Sequence, residues 1–98
     1  MNLDPVKKLM YDQDFKGAEK ILQKELKTEK DKFMIFYFLG LVYFELRNLD
    51  KSIKFFKKSL KLRPNNISTY LKLASEYQTM GDTETSKNNY LKSIALDS

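Results

Sequence analysis

The sequence predicts an all-α protein, built as a solenoid of three antiparallel helix pairs. Its 98 residues include only 3 Gly and 2 Pro, too few for the many tight turns of an all-β protein. Its apolar and small residues also recur every 34 residues, a period typical of two helices joined by short turns. A chain of this length forms one core, so we expect residues 1–98 to be a single domain.

The 34-residue period is clearest between the middle and the last third of the chain. The middle third contains Phe36, Leu39, Gly40, Tyr43, Ser52, Phe56 and Ser59, and the residues 34 positions later are Tyr70, Leu73, Ala74, Tyr77, Ser86, Tyr90 and Ser93. Each pair preserves size or aromaticity, and the small members let partner helices approach closely. In the first third the period is carried by Leu9, Ala18 and Leu22. The repeats are therefore predicted near 1–32, 33–66 and 67–98.

The first pair of helices is predicted near residues 5–12 and 15–28. Asp4 followed by Pro5 indicates the start of the first helix, because proline is favoured at the first helical position. The Asp-Gln-Asp segment at 12–14 interrupts the apolar period and offers an N-cap for the second helix.

The middle pair is predicted near residues 33–46 and 50–62. Its first helix contains the apolar run FMIFYFLGLVYF, which is shorter than the roughly 20 residues of a membrane span and is typical of a core helix. Residues 47–50 break the period and supply the next N-cap. The second helix is amphipathic, with Leu49, Ile53, Phe56 and Leu60 along one stripe and a basic surface opposite, formed by Lys51, Lys54, Lys57, Lys58 and Lys61.

The last pair is predicted near residues 67–80 and 83–96. Arg63-Pro64 ends the preceding helix, since proline cannot continue it, and Asn66 is placed to cap the next one. Residues 80–83, Met-Gly-Asp-Thr, form the turn between the two helices.

The pattern aromatic-x2-Leu-Gly-x2-Tyr, then small-x3-aromatic, then proline, resembles the tetratricopeptide repeat. The resemblance covers essentially the whole chain as three copies, of which the first is recognisable mainly through its second helix. It implies a right-handed superhelix whose concave face, lined by the first helix of each pair, binds an extended or helical peptide. It also implies a non-catalytic interaction module, scaffold or adaptor.

On this resemblance, the concave groove is formed by residues of the first, third and fifth helices that are not used within a repeat. They are Lys7, Met10, Tyr11, Met34, Tyr37, Phe38, Leu41, Phe44, Glu45, Ser68, Leu71, Lys72, Ser75 and Gln78. The apolar centre suits a hydrophobic or amphipathic peptide, or another subunit. The same aromatic residues would also serve as the core of a three-repeat protein, and both interpretations stay open.

The carboxylate-binding site known in this family is not expected. Phe38 stands where that site has an asparagine, and Leu3 stands where it has a lysine. At the other end of the chain, the last helix has no cap over it, and its apolar residues are Tyr90, Leu91, Ile94 and Leu96. Solenoids generally cover their last repeat, so we expect either a continuation of the chain or self-association through this edge.

The absence of cysteine and histidine excludes disulfides, thiolate chemistry and the commonest metal ligand. We therefore expect no enzyme activity, no metal and no cofactor. The acidic residues Asp12, Asp14, Glu45, Asp50, Glu76 and Asp82 are expected at helix ends or on exposed faces, where capping explains them.

The net charge of +5 lies in the middle third of the chain. It supports an alternative function, a peripheral adaptor that binds anionic membrane or nucleic acid through the basic surface. The plainer interpretation is the solvated face of an amphipathic helix, and neither partner is favoured, since a basic face alone is weak evidence for function. Nucleic-acid binding proteins, in addition, usually have clustered arginine or exposed aromatics, whereas this chain has 16 Lys but only 2 Arg. The N-terminal residues lack the apolar stretch of a secretory signal, which predicts a cytoplasmic protein.

Overall fold

The computed structural model describes residues 2–97. Within that range it contains six helices: α1 (Asp4–Tyr11), α2 (Phe15–Leu26), α3 (Phe33–Glu45), α4 (Leu49–Leu62), α5 (Ile67–Thr79) and α6 (Thr83–Asp97). Consecutive helices pack as three antiparallel pairs, α1 with α2, α3 with α4 and α5 with α6. The predicted all-α solenoid is confirmed, and every helix end lies within two residues of its predicted position.

The same turn joins the two helices of each pair. Its left-handed residue is Gln13 in the first pair (φ 63°), Arg47 in the second (φ 63°) and Gly81 in the third (φ 85°). In each turn, the backbone N–H of the next residue donates to a carbonyl five residues earlier, at 2.7–2.9 Å. The three turns are spaced by 34 residues, so the sequence period is also a period of backbone conformation.

The predicted N-caps of the second helices are confirmed. The side chains of Asp14, Asn48 and Asp82 accept hydrogen bonds from the backbone N–H three residues later, at 2.9, 3.2 and 3.1 Å. Asn66 caps α5 as predicted, since its Oδ1 accepts from the backbone N–H of Thr69 at 3.0 Å. These bonds satisfy donors that a helix N-terminus otherwise leaves unpaired.

The start of α1 differs from the prediction. Asp4 is the first residue of the helix, and the N-cap is Leu3, whose side chain makes no capping hydrogen bond. The backbone N–H of Asp4 instead donates to Oδ1 of Asn2 at 2.9 Å. The Asp4 carboxylate lies in the first turn, where it interacts favourably with the positive end of the helix dipole.

Helix α3 lies at the centre of the core. Its buried residues pack with Val6 of α1, Ala18 and Leu22 of α2 and Phe55 of α4. Among the described helices, none combines the length and the apolar character that crossing a bilayer requires. The apolar run of α3 therefore forms the core, as the sequence predicted.

Small residues bring the two helices of a pair together. The Phe56 ring of α4 lies so close to Gly40 of α3 that a Cβ built on this glycine would be 2.6 Å from it. Beside it, the Ser52 hydroxyl donates to the carbonyl oxygen of Gly40 at 2.6 Å. The same bond recurs 34 residues later, where the Ser86 hydroxyl donates to the carbonyl oxygen of Ala74 at 2.7 Å. Both serines bridge the helices of their own pair.

Candidate partner-binding groove

A cavity of about 340 Å³ lies between α1, α3 and α5, with α4 behind it. It is lined by Met10, Leu41, Phe44, Glu45, Phe56, Ser68, Leu71, Lys72, Ser75 and Glu76. The first helix of each pair therefore contributes to one concave site. Its apolar lining residues are one methionine, two leucines and two phenylalanines, a composition typical of a site for a small apolar group or side chain.

The cavity brings together eight residues of the sequence-predicted groove: Met10, Leu41, Phe44, Glu45, Ser68, Leu71, Lys72 and Ser75. The four on α5 are separated by three, one and three residues. Side chains at this spacing lie on one face of a helix, which is why the sequence could group them.

Phe38 lies in the core and not in the groove. Only 9% of it is exposed, and it packs in the central cluster with Val6 and Val42. Met34 and Tyr37 are partly buried against the same cluster. For these three residues the structure favours the alternative interpretation, in which the aromatic and apolar residues of α3 form the core.

The remaining predicted groove residues lie outside the cavity lining. Lys7, Tyr11 and Gln78 are exposed, and Tyr11 is exposed by 88%. Tyr37 connects the core to the rim of the cavity, because its hydroxyl and that of Ser68 are hydrogen-bonded at 2.7 Å. This bond links α3 to α5 across the boundary between two helix pairs.

The buried position of Glu76 was not predicted. We expected its carboxyl group on an exposed face, but only 1% of the residue is exposed, and it lines the cavity. The residue 34 positions earlier is Val42, which is fully buried. A glutamate therefore occupies a position that takes an apolar side chain in the preceding pair. Burial is thus the same at the two positions and only the residue type differs, so the 34-residue alignment with the apolar Val42 is the sequence signal that indicates a buried position for Glu76.

The two carboxyl oxygens of Glu76 have different surroundings. Oε1 is hydrogen-bonded to the hydroxyl of Ser52, whereas Oε2 is buried and has no hydrogen-bond partner among the described residues. Burial raises the pKa of Glu76 from 4.5 to about 7, and the Ser52 hydrogen bond opposes part of this rise. Near neutral pH, Glu76 is therefore divided between its protonated and ionised forms.

The Ser52 hydroxyl explains how the protonated form is accommodated. Its oxygen lies within hydrogen-bonding distance of both the Gly40 carbonyl and Oε1 of Glu76, but a hydroxyl has a single proton to donate. If Glu76 is protonated, it donates to Ser52, which in turn donates to Gly40 as Ser86 does to Ala74. If Glu76 is ionised, the two acceptors compete for one proton.

Two further charged side chains line the cavity, Glu45 of α3 and Lys72 of α5. With Glu76 ionised, the lining therefore carries two carboxylates and one ammonium group. Within residues 2–97 there is no group of three or more metal-ligating side chains that could hold an ion.

The basic surface of α4 is partly used for packing. The ammonium groups of Lys51, Lys57 and Lys58 lie over the rings of Tyr43, Tyr77 and Phe55, at 5.3, 5.8 and 5.4 Å from the ring centroids. At these distances a cation is attracted to the ring face. Lys51, Lys54, Lys57 and Lys61 are exposed, and Lys58 is partly buried. Three of the five lysines thus contact aromatic rings of this chain, while four of the five remain open to solvent.

The family model of the tetratricopeptide repeat matches residues 34–66 and residues 67–98. A curated relative, the TPR repeat-containing protein MJ0941 of Methanocaldococcus jannaschii, is 34% identical over 58 residues. The aligned region is 59% of this chain and 17% of the relative.

Two solved structures have the same fold over 94% of this chain. One, described as the crystal structure of MamA, has a TM-score of 0.88 at 21% identity, and the other, MamA MSR-1 C2, has a TM-score of 0.85 at 27% identity. This chain spans about half of each, 54% and 53%. The repeat match over residues 34–98 shows that the chain belongs to the tetratricopeptide repeat family.

Proposed function

We propose that this chain is a non-catalytic interaction module that binds a hydrophobic or amphipathic peptide, or a helix of another subunit, in the cavity between α1, α3 and α5. Tetratricopeptide repeats are in general modules for protein–protein interaction. The observation that carries the proposal is that the first helix of each pair contributes apolar side chains to one concave site. Exposed apolar surface in a concavity is typical of a docking site.

The proposal treats residues 1–32 as a first repeat that completes the groove. Met10 of α1 lines the cavity together with residues of α3 and α5. The turn after α1 has the same backbone conformation as the turns after α3 and α5. These two features support a single three-repeat unit in which all pairs share one concave face.

Leu71 offers a direct test, because it lines the cavity and is already 43% exposed. Wild-type protein would be immobilised and used to select binders from a random peptide library displayed on phage. We expect amphipathic peptides, and we expect Leu71→Glu to weaken their binding at least about tenfold in fluorescence polarisation, as for a truncated anchor residue. Circular dichroism would show that the helices are retained.

Leu62→Glu is the matched control, since Leu62 lies on α4 outside the cavity and is 51% exposed. It should leave peptide binding unchanged. Failure to select any peptide, or an equal loss of binding in the two variants, would contradict the proposal. Phe38 is unsuitable for this test because it is a core residue, and a charge placed there would unfold the protein.

A further inference from the structure

The cavity contains a polar group that a purely apolar occupant would leave unmatched. Oε2 of Glu76 has no hydrogen-bond partner among residues 2–97, although the residue lines the cavity. Buried polar groups are nearly always paired, and an exception calls for an explanation. The Ser52 hydrogen bond explains Oε1, but it leaves Oε2 without a role in the packing.

The charges around the cavity indicate which partner would suit this oxygen. Helix α3 contributes Glu45 and α5 contributes Glu76 and Lys72, whereas the lining residues of α1 and α4 are the uncharged Met10 and Phe56. When Glu76 is ionised, the carboxylates outnumber the ammonium group. A cationic donor would offset the excess negative charge and also donate a hydrogen bond to Oε2. A neutral donor would donate the hydrogen bond but leave the charge uncompensated.

The apolar residues that line the cavity also limit which cationic donor would fit it. Lysine and arginine carry their charge at the end of an aliphatic stem, which packs well on apolar surface while the head finds a polar partner. Leu41, Phe44 and Leu71 provide such surface in the same cavity. Oε2 is buried, so an entering head group reaches it only after a rotation about the last side-chain torsion of Glu76, which is a soft torsion.

We propose that the cavity receives a lysine or arginine side chain of the bound peptide, whose cationic head donates a hydrogen bond to Oε2 of Glu76. This inference rests on the proposed function and names the chemistry of the partner. On binding, the protonated fraction of Glu76 releases its proton to solvent. Oε1 then accepts from Ser52 and Oε2 accepts from the peptide, so the ionised form has partners for both oxygens.

The test uses parallel peptide selections on the wild type, Glu76→Gln and Glu76→Val. Gln keeps an oxygen for Ser52 but removes the charge, and Val is the residue found at the equivalent position 42. We expect the wild type to select peptides with a lysine or arginine between apolar residues. We expect both variants to select apolar peptides without this preference, while circular dichroism confirms that they are folded.

A double-mutant cycle then measures the pairing. Replacing the selected lysine or arginine by methionine should weaken binding to the wild type about tenfold or more, as for a buried hydrogen bond to a charged group. The same replacement should change binding to Glu76→Gln less than about twofold. Affinity of the basic peptide should also fall as the pH is lowered through about 7 for the wild type but not for Glu76→Gln, which retains Glu45 and Lys72.

The outcomes separate the two proposals. If the wild type selects no peptide at all, the proposed function fails. If it selects peptides without a basic residue, or if the methionine replacement costs the same in Glu76→Gln, the groove stands and the pairing with Glu76 is overturned.

Discussion

Glu76 combines a buried position with a hydrogen bond to the preceding helix pair. Its partner Ser52 lies on α4 and also donates to the carbonyl oxygen of Gly40 on α3. The Glu76 carboxyl group on α5 is therefore hydrogen-bonded to Ser52, the serine that joins α3 and α4. The protonation state of Glu76 therefore affects the packing between pairs as well as the cavity.

The free energy of unfolding should report this protonation. The pKa of Glu76 is raised from 4.5 to about 7 in the folded protein, so the folded state binds a proton that the unfolded state has released. Stability from this group is fully present below pH 4.5 and is lost as the pH rises through about 7. We expect the stability of the wild type relative to Glu76→Gln to fall between pH 5 and pH 8 by an amount on the order of 3 kcal/mol.

Urea unfolding of both proteins across this pH range measures the difference. The chain contains no histidine, so histidine titration does not obscure the result. A difference between the two proteins that is independent of pH would show that Glu76 keeps an ordinary pKa.

Gly40 gives a prediction about close packing. A Cβ at this position would lie 2.6 Å from two ring carbons of Phe56, so this fully buried ring would have to shift to accommodate it. Gly40→Ala should therefore destabilise the protein by about 1 to 3 kcal/mol through overpacking, although alanine is the better helix former. Thermal unfolding of both proteins, followed by circular dichroism, measures this loss of stability.

The equivalent residue of the last pair provides the comparison. Position 74 is already alanine and is fully buried, so Ala74→Gly should also destabilise, by about 1 kcal/mol or more, through helix propensity and lost contacts. If Gly40→Ala instead stabilised the protein, the contact between Gly40 and Phe56 would have to be looser than described.

At the level of elements, the turns within the helix pairs differ in the energetic cost of their left-handed residue. Glycine adopts a left-handed conformation without a steric penalty, whereas other L-residues pay roughly 1 to 2 kcal/mol. The third turn has Gly81 at this position, but the first two have Gln13 and Arg47. Two of the three turns thus hold a residue that is not the best choice for its conformation.

Gly81→Ala should destabilise the protein by about 1 kcal/mol for conformational reasons alone, because a Cβ at this position would have no atom within 4 Å. Arg47→Gly should stabilise it slightly, by about 0.5 kcal/mol, after the entropy cost of glycine is deducted. Urea unfolding measures both changes. Gly81→Asn serves as the control and should cost less than Gly81→Ala, since asparagine tolerates this conformation better.

The helices could be predicted closely from the sequence because their determinants are local. The 34-residue period, the turn residues and the caps at Asp14, Asn48, Asn66 and Asp82 all lie within or beside the elements they define. The start of α1 is the exception, since Asp4 is expected just before the helix, whereas it is the first helical residue and Leu3 is the N-cap.

The candidate site could be predicted only in part. The face of α5 follows from helical spacing, so four of the five α5 residues that line the cavity are among those grouped from the sequence, and the fifth, Glu76, is not. The burial of Phe38 and Glu76 depends on how neighbouring helix pairs pack against each other. Glu76 is buried against Ser52, which is 24 residues away in the sequence, and no pattern within α5 encodes that contact.

At the level of the whole molecule, α3 and α4 are covered by pairs on either side, while α6 has an uncovered outer face. Leu91 and Ile94 on this helix are exposed, Ile94 by 64%, and Tyr90 beside them is also exposed. Leu96 is only half-buried. Apolar residues grouped on one helix face are typical of a surface that contacts another protein.

We propose that this edge mediates self-association. The weight-average mass from light scattering should rise with protein concentration for the wild type, and the double variant Leu91→Arg, Ile94→Arg should stay monomeric. Leu62→Arg, which changes an exposed leucine on α4, should behave as the wild type does. A wild-type mass that stays monomeric from micromolar to millimolar concentration would rule out the association.

The recurrence of one turn conformation at residues 13, 47 and 81 has a consequence for how such a protein can grow. The segment 48–81 starts with a helix cap and ends with a left-handed residue. A second copy inserted after Gly81 would therefore meet the same backbone geometry on both sides. Duplication of this segment lengthens the array by whole units and adds a new first helix to the concave face, with the existing joints left unchanged.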